Sequence, residues 1–410
     1  MSDTIPAPTR PRAVITGLGV VAPNGFDADT YWDAVLHGRS GIERITRFEP
    51  DQYPAKLAGE VAGYDVREHV PGRLVPQTDQ ATRLALIATD AAVSDSGLEL
   101  AAVPDDQVGI VTGISAGGLE YSQRELEKLW SLGGDHVSAY LSFSWFYAVN
   151  TGQISIRHGL HGPGGVLTGL TSGMDSIAQA RRHVADGLPV VVCGATDSTL
   201  CPLGWVIELT TGRMSSVTDP ERAYLPFDAA ASGHLPGEGG AILIVEEAGY
   251  ARARGVQPYG EIAGYASTFD PRPGSAREPG LRRAIESALA DAGVTPAEVD
   301  VVFADAAGVA ELDRAEAAAV TAVFGPRAVP VTAPKTMTGR LYSGGPALDV
   351  ATASLSMRHG VIPPMINVAE PVGSDQLDLV LGRPRETTVS TALILARGDG
   401  INSAMVLTAA

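Results

Sequence analysis

The sequence has 410 residues, which at roughly 100–200 residues per domain allows two or three domains or one large fused unit. Its 45% hydrophobic and 19% charged residues exclude disorder as the main state. With 30 basic against 47 acidic residues the net charge is −17, which argues against nucleic acid or an anionic membrane surface as the principal ligand. A local basic patch could still meet an acidic carrier.

Only two cysteines are present, Cys193 and Cys201, too few for a disulfide framework or a cysteine-based metal site. They read as reduced, partly buried thiols of a cytoplasmic protein. No window reaches 18 unbroken apolar residues, so no membrane span is expected. The start, MSDTIPAPTRPR, lacks the apolar core of a signal peptide and reads as a short flexible lead over residues 1–11.

In chain order, the apolar run from Ala13 stopped by Gly17 and Gly19 predicts a buried strand, and a helix follows over Asp29–His37. Residues 79–97 form a helix that Asp79 can cap and Gly97 can end. A strand is expected at Val108–Thr112, and helices at 122–130 and Ala148–His158. Residues 165–186 give strand, Gly/Ser/Thr turn and helix. Strands follow at Leu188–Cys193 and Gly240–Glu247. After Val256 the pattern restarts: strand GEIAGYAST, helix EPGLRRAIESALADAG, strand VDVVFADAAG, helix RAEAAAVTAVFG and strand AVPVTAPK. LDLVLGRP and TALILARG read as paired strands. Strand–helix alternation throughout predicts an α/β protein with buried sheets, in two halves over 12–250 and 251–410 with no low-complexity linker between them.

Gly17-Leu18-Gly19-Val20-Val21-Ala22 formally fits a dinucleotide-binding fingerprint after a strand. Pro23-Asn24-Gly25 follows where the phosphate-binding helix should run, so a glycine-rich turn is the preferred reading.

Four segments carry more information: GVLTGLTSGMDSIAQA (165–180), LPFDAAASGHLPGEGGAILIVEE (225–247), FADAAGVAELDRAEA (303–317) and PKTMTGRLYSGGPALD (334–349). Together, and in this order, they resemble the β-ketoacyl synthase family over essentially the whole chain. The resemblance implies the thiolase fold: two similar α/β halves in a five-layer αβαβα arrangement. A condensing enzyme of this kind needs a thiolate at a helix N-terminus, two histidines that polarise the malonyl thioester and stabilise its enolate, and a supporting lysine. The nucleophile motif Gly-Cys-Thr-Ser-Gly reads here Gly169-Leu170-Thr171-Ser172-Gly173, and the histidine positions hold Asp305 and Arg340. Only Lys335 is retained. Leucine has no nucleophilic atom, an ionised aspartate only accepts hydrogen bonds, and arginine cannot act as a base. An Asp305–Arg340 ion pair filling the former pocket is expected in place of two independent solvated side chains. The aromatic gating loop of active synthases is matched by Arg397-Gly398-Asp399-Gly400-Ile401-Asn402, which has no aromatic residue.

This combination resembles the chain length factor, or ketosynthase β subunit, of type II polyketide synthases. VNTGQISIRHG, GRMSS and TGRLYSGG match that subfamily. The resemblance implies a non-catalytic subunit of an acyltransferase-class complex, with no cofactor and no metal. Its partners would be an active ketosynthase α subunit, an acyl carrier protein and the growing poly-β-ketone chain, in antibiotic-type biosynthesis. Many such subunits carry glutamine at the nucleophile position; Leu170 removes even that amide, which argues against independent decarboxylation. The length-setting positions correspond to Leu119, Ser122 and Leu126, three and four residues apart on one helical face. They are moderate or small, which implies a longer rather than a shorter product; the competing reading is an ordinary amphipathic core. Phe143, Trp145, Phe146 and Tyr147 are candidates for the subunit interface, against a monomer core. Arg181 and Arg182 are candidate contacts for an acidic carrier, although such a charge pair usually marks a solvated helix face.

Two other functions compete. A stand-alone condensing enzyme would have to use Thr168, Thr171 or Ser172, with His158, His161 and His234 away from the family positions. A scaffold would bind acyl carrier protein without shaping a tunnel.

Overall fold

The computed structural model describes residues 11–272 and 274–410. Of the flexible lead expected over 1–11, all but residue 11 lie outside the described residues. The strands are β1 (Ala13–Val21), β2 (Val108–Ile114), β3 (Gly164–Thr168), β4 (Val190–Asp197), β5 (Gly239–Glu247), β6 (Gly260–Phe269), β7 (Val301–Phe303), β8 (Pro330–Thr332), β9 (Asp378–Leu379), β10 (Thr391–Gly398) and β11 (Ile401–Thr408). The principal helices are α1 (Ala28–Leu36), α2 (Gln80–Ser96), α3 (Leu119–Leu132), α4 (Val149–His158), α5 (Ser172–Ala185), α6 (Pro202–Thr210), α7 (Leu281–Ala292), α8 (Ala310–Phe324) and α9 (Gly344–His359).

The strands hydrogen-bond in the order β9-β8-β7-β10-β11-β6-β1-β5-β4-β2-β3. The series reads as one topology used twice. In β1-β5-β4-β2-β3 the first two pairings are antiparallel and the next two parallel. In β6-β11-β10-β7-β8 the same sequence of pairings recurs, with β9 added in parallel beyond β8. The halves meet where β1 pairs with β6 through Val14–Glu261 and Ile15–Gly260. Equivalent helices α5 and α9 pack on each other and on strands of both halves, so they form a middle layer. Helix α2 covers the outer face of the first half and α7 that of the second. This is an α/β thiolase fold in layers. The largest apolar cluster joins Ile15, Met174, Leu243, Phe303, Val350 and Ile394, drawn from strands of both halves and both middle helices.

Such burial explains the sequence pattern. Strands β1, β2 and β4 are buried along their whole length, and read as continuous apolar runs rather than alternating ones. Helix α9 is buried on nearly all sides, so it carries no amphipathic stripe by which to find it, and the sequence reading placed no element there. Gly17 and Gly19 serve helix–strand contact and not phosphate. A Cβ at Gly19 would lie 1.7 Å from the Ala88 carbonyl oxygen of α2, and one at Gly17 2.3 Å from that of Ala92. Ala22 and Gly25 exchange backbone hydrogen bonds around Pro23-Asn24, closing the turn anticipated there. One pairing differs from expectation. LDLVLGRP and TALILARG are not neighbours: β10 lies between β7 and β11, while β9 is the outer edge beyond β8. The partner of β10 is β11, which was not recognised as a strand.

Asp79 caps α2 as expected, accepting from the Ala81 N–H at 3.1 Å, and Gly97 ends it in the left-handed region at φ 59°. The other Asp79 oxygen accepts the Tyr121 N–H at 2.8 Å in the first turn of α3, so one buried carboxyl ties two helix starts together. Burial, then the nearby Glu120 charge, push the Asp79 carboxyl up to about 6 from 3.8. The folded chain therefore holds this proton to higher pH than the unfolded chain does. Its contribution to stability is greatest below the unfolded value and is lost as pH rises through the folded one. Asp79→Asn cannot ionise. Urea unfolding followed between about pH 4 and pH 6 should show a fall about 2 kcal/mol smaller in D79N than in the unaltered protein.

Candidate functional site

The turn from β3 into α5 carries Gly169-Leu170-Thr171-Ser172, with Gly169 at φ 114°. The Ser172 hydroxyl donates to the Gly169 carbonyl at 2.7 Å, and the Thr171 hydroxyl donates to Asp175 at 2.8 Å. Leu170 lies over the backbone of Gly398, where a Cβ would come within 2.4 Å of the leucine Cβ. The loop after β7 brings in Asp305. The short 3₁₀ turn Pro334–Met337 after β8 brings in Lys335, and the following residues bring in Arg340. Leu170, Asp305, Lys335 and Arg340 thus line one cavity, of about 20 Å³. Such a space holds a water molecule and no acyl chain.

Asp305 and Arg340 form the expected ion pair in a two-pronged arrangement. One Arg340 nitrogen donates to Asp305 Oδ1 at 2.9 Å, and the other to Oδ2 at 3.2 Å and to the Asp305 carbonyl at 2.9 Å. Asp305 Oδ1 also accepts the Arg397 N–H at 3.0 Å. Lys335 Nζ stands 2.7 Å from Asp349 Oδ2 and donates to the Asp305 carbonyl at 3.2 Å. Burial alone would raise the Asp305 carboxyl, but the charges of Arg340 and Lys335 hold it below the usual carboxylate range. Burial would lower the Arg340 guanidinium; the Asp305 charge raises it instead. Both groups therefore stay ionised, and neither can shuttle a proton at neutral pH.

Three supporting residues escaped the sequence reading. Both oxygens of buried Glu316 on α8 accept backbone N–H groups, from Asp305 at 2.7 Å and Ala306 at 2.9 Å. The buried Tyr224 hydroxyl donates to the Ala306 carbonyl at 2.6 Å, holding Ala306 at φ 50°. Asp349 on α9 neutralises Lys335. Glu316 sits within an alanine-rich helix beside exposed Glu311 and buried Asp313, whose carboxyl accepts the Phe227 and Gly308 N–H groups, and acidic residues of this kind read from the sequence alone as a solvated face.

The stretch matched to a gating loop is a tight hairpin turn. Arg397 faces Asn402 and Gly398 faces Ile401 in the β10–β11 ladder, around Asp399 at φ 53° and Gly400 at φ 77°. The Arg397 guanidinium donates to Asn402 Oδ1 and to the Leu312 carbonyl, which fastens the turn to α8. Of the other histidines, His161 pairs with Asp105 at the surface, His158 stands beside Asp90, and His234 beside Glu208. None lines the cavity.

Leu119, Ser122 and Leu126 lie apart from this site, along one face of α3. The first two are half-buried and Leu126 is 40% exposed, so they are not an ordinary core. Leu119 packs beside Gly204 of α6, and the Gln123 side-chain carbonyl accepts the Leu203 N–H, which docks α6 against α3. Phe143 is half-buried, while Trp145, Phe146 and Tyr147 are exposed, which excludes the monomer-core reading for these three. Arg181 pairs with Asp291 and donates to the Ala263 carbonyl, so it is committed within the chain.

Known proteins match this arrangement. The β-ketoacyl synthase N-terminal domain matches residues 11–251 and its C-terminal domain residues 259–369. The actinorhodin polyketide putative β-ketoacyl synthase 2 of Streptomyces coelicolor is 55% identical, over 96% of this chain and 98% of its own length. The tetracenomycin polyketide synthase ketoacyl synthase β subunit of Streptomyces glaucescens is 54% identical, over 98% of each. Among solved structures, the ishigamide ketosynthase/chain length factor superposes with a TM-score of 0.89 at 27% identity, covering 98% of this chain and all of that one.

The ion pair makes a specific prediction. Arg340→Met leaves a buried carboxylate without its main partner and should cost about 3–5 kcal/mol in urea unfolding. Adding Asp305→Asn, which keeps an oxygen for the Arg397 N–H but removes the charge, should recover most of that loss.

Proposed function

The chain belongs to the β-ketoacyl synthase family and, within it, to the ketosynthase β subunits of type II polyketide synthases; we propose that its residues act by shape, closing a polyketide tunnel against a reactive partner. The observation that carries this reading is the filled site. Leu170 lies on Gly398, and the Asp305–Arg340 pair takes up the space where decarboxylation would need histidines. The Ser172 hydroxyl donates to a backbone carbonyl and the Thr171 hydroxyl to the Asp175 carboxylate, and no histidine lines the cavity to stabilise an enolate, which disfavours a stand-alone condensing enzyme.

A partner is supported by the surface. Strand β3 is the edge of the sheet, half-buried to exposed along its length, and offers unpaired backbone groups. The turn before α4 exposes Trp145, Phe146 and Tyr147, and α4, which packs beside β3, exposes Ile156. Scattered single apolar residues are ordinary, but a cluster of this size marks an association surface. The partner is a ketosynthase α subunit carrying the nucleophile. The acyl carrier protein delivers to that subunit, since this chain, at −17 overall, repels an acidic partner. Leu119, Ser122 and Leu126 then form the wall that the growing poly-β-ketone meets.

Three measurements test the reading. The purified chain, given acyl carrier protein and malonyl-CoA, should elongate nothing, whereas with a cysteine-bearing ketosynthase α subunit it should yield polyketide. In that complex Leu119→Phe and Leu126→Phe should shorten the product, read by mass spectrometry, while the heterodimer still co-elutes. An unchanged product would sink the tunnel assignment. Trp145→Asp should weaken subunit pairing by about 2 kcal/mol or more, measured by calorimetric titration.

A further inference from the structure

Helix α3 is fixed by one face. Tyr121 is buried, and its hydroxyl donates to Ser138 Oγ at 3.2 Å. Glu125 is buried too; it accepts the Ser138 N–H at 2.6 Å and pairs with Lys128 at 2.7 Å. At 3.6 residues per turn, Leu119, Leu126 and Trp130 fall within about 40° of one another on the opposite side. Exposure grows along that stripe, from half-buried Leu119 through Leu126 at 40% to Trp130 at 83%, the most exposed of the large apolar side chains among the described residues. Trp130 stands about 6 Å beyond Leu126 and about 16 Å beyond Leu119 along the axis. After it the helix ends at Gly133 (φ 101°), followed by Gly134, so no later side chain on this stripe can close the row.

An indole left in water forgoes burial of roughly 150–250 Å² of surface, so an assembled state must cover it. Its phase on the helix decides what covers it. Trp130 continues the row of Leu119 and Leu126, while the exposed aromatics assigned to subunit contact, Trp145 to Tyr147, belong to a separate turn after Leu141–Ser144.

We propose that Trp130 is a further length-determining residue: the terminal stop of the tunnel, met by the poly-β-ketone after it passes the smaller side chains of Leu119, Ser122 and Leu126. This rests on the tunnel reading above and gives it an end point. The moderate side chains early in the row let the chain through, and the one large, rigid side chain at its end sets where elongation halts.

The test uses the complex of this chain with a ketosynthase α subunit, supplied with acyl carrier protein and malonyl-CoA, with products sized by mass spectrometry. Trp130→Ala should move the distribution to longer chains by whole ketide units, Trp130→Phe should move it less, and both variants should co-elute with the partner like the unaltered chain. A Trp130→Ala product of unchanged or shorter length overturns the proposal. So does loss of co-elution, which would make the indole a subunit anchor. Leu126→Phe run alongside separates the two ideas. If it shortens the product while Trp130→Ala does not lengthen it, the tunnel stands and its proposed end is wrong. If neither changes length, both fail.

Discussion

The buried pair of Asp305 and Arg340 is the constraint around which this molecule is arranged. Two charges taken out of water cost several kcal/mol each, and the attraction between them offsets that only where the geometry is good and the remaining hydrogen-bonding capacity is used. Here it is used. The guanidinium reaches both carboxylate oxygens and three backbone carbonyls, of Asp305, Ala306 and Arg397, and the carboxylate takes the Arg397 N–H in addition. The consequence reaches three elements at once, because Asp305 follows β7, Arg340 precedes α9 and Arg397 ends β10. A lone cation, Lys335, would be a liability beside Arg340; Asp349 answers it from the middle layer. The result is a plug with almost no free volume, in which neither Asp305 nor Arg340 loses or gains a proton near neutral pH.

A site filled in this way changes what the rest of the fold must do. In a reactive condensing enzyme the loop over the nucleophile must admit and release substrate. Here the corresponding chain is a two-residue hairpin turn, registered residue for residue and fastened to α8 through Arg397. Gly398 persists because Leu170 occupies the space its side chain would need. The turn is held in one shape, as the proposed wall requires. Helix α3 shows the same preference. Asp79 holds its start, Glu125 and Tyr121 hold its inner face, and Gln123 ties it to α6.

Much of this was legible in the sequence where a residue acts locally. Asp79 and Gly97 mark their helix because capping is decided within a few residues. Leu170 and Arg340 stand out because each breaks a motif whose chemistry demands another residue type. What escaped was set by tertiary contact. Glu316 faces inward to collect two N–H groups from a loop ten residues earlier, and only the fold can bring them together. Helix α9 is buried on all sides, which erases the amphipathic signal. The neighbour of β10 could not be read from TALILARG, since a strand buried on both faces is equally apolar whichever strand lies beside it. Gly17 and Gly19 satisfied a phosphate-binding pattern for a reason unrelated to phosphate: α2 lies against their backbone too closely for any side chain.

The duplicated topology sets the stability of the fold apart from the residues of the site. Each half contributes one helix, α5 or α9, to the shared middle layer, and the largest apolar cluster draws on both. Stability therefore resides in the contact between halves, while the site occupies only the strand ends above it. Leu170 adds apolar contact at the start of α5, and the opposite charges of Asp305 and Arg340 tie the loop after β7 to the loop before α9. Both contacts sit above the strand pairings. The surface has the opposite character: exposed Trp130, Trp145, Phe146 and Ile156 on a chain of strong negative charge are tolerable only if most of them are covered in the working assembly. The interior is packed through while the exterior leaves large apolar side chains in water, which is what the proposed partner would cover.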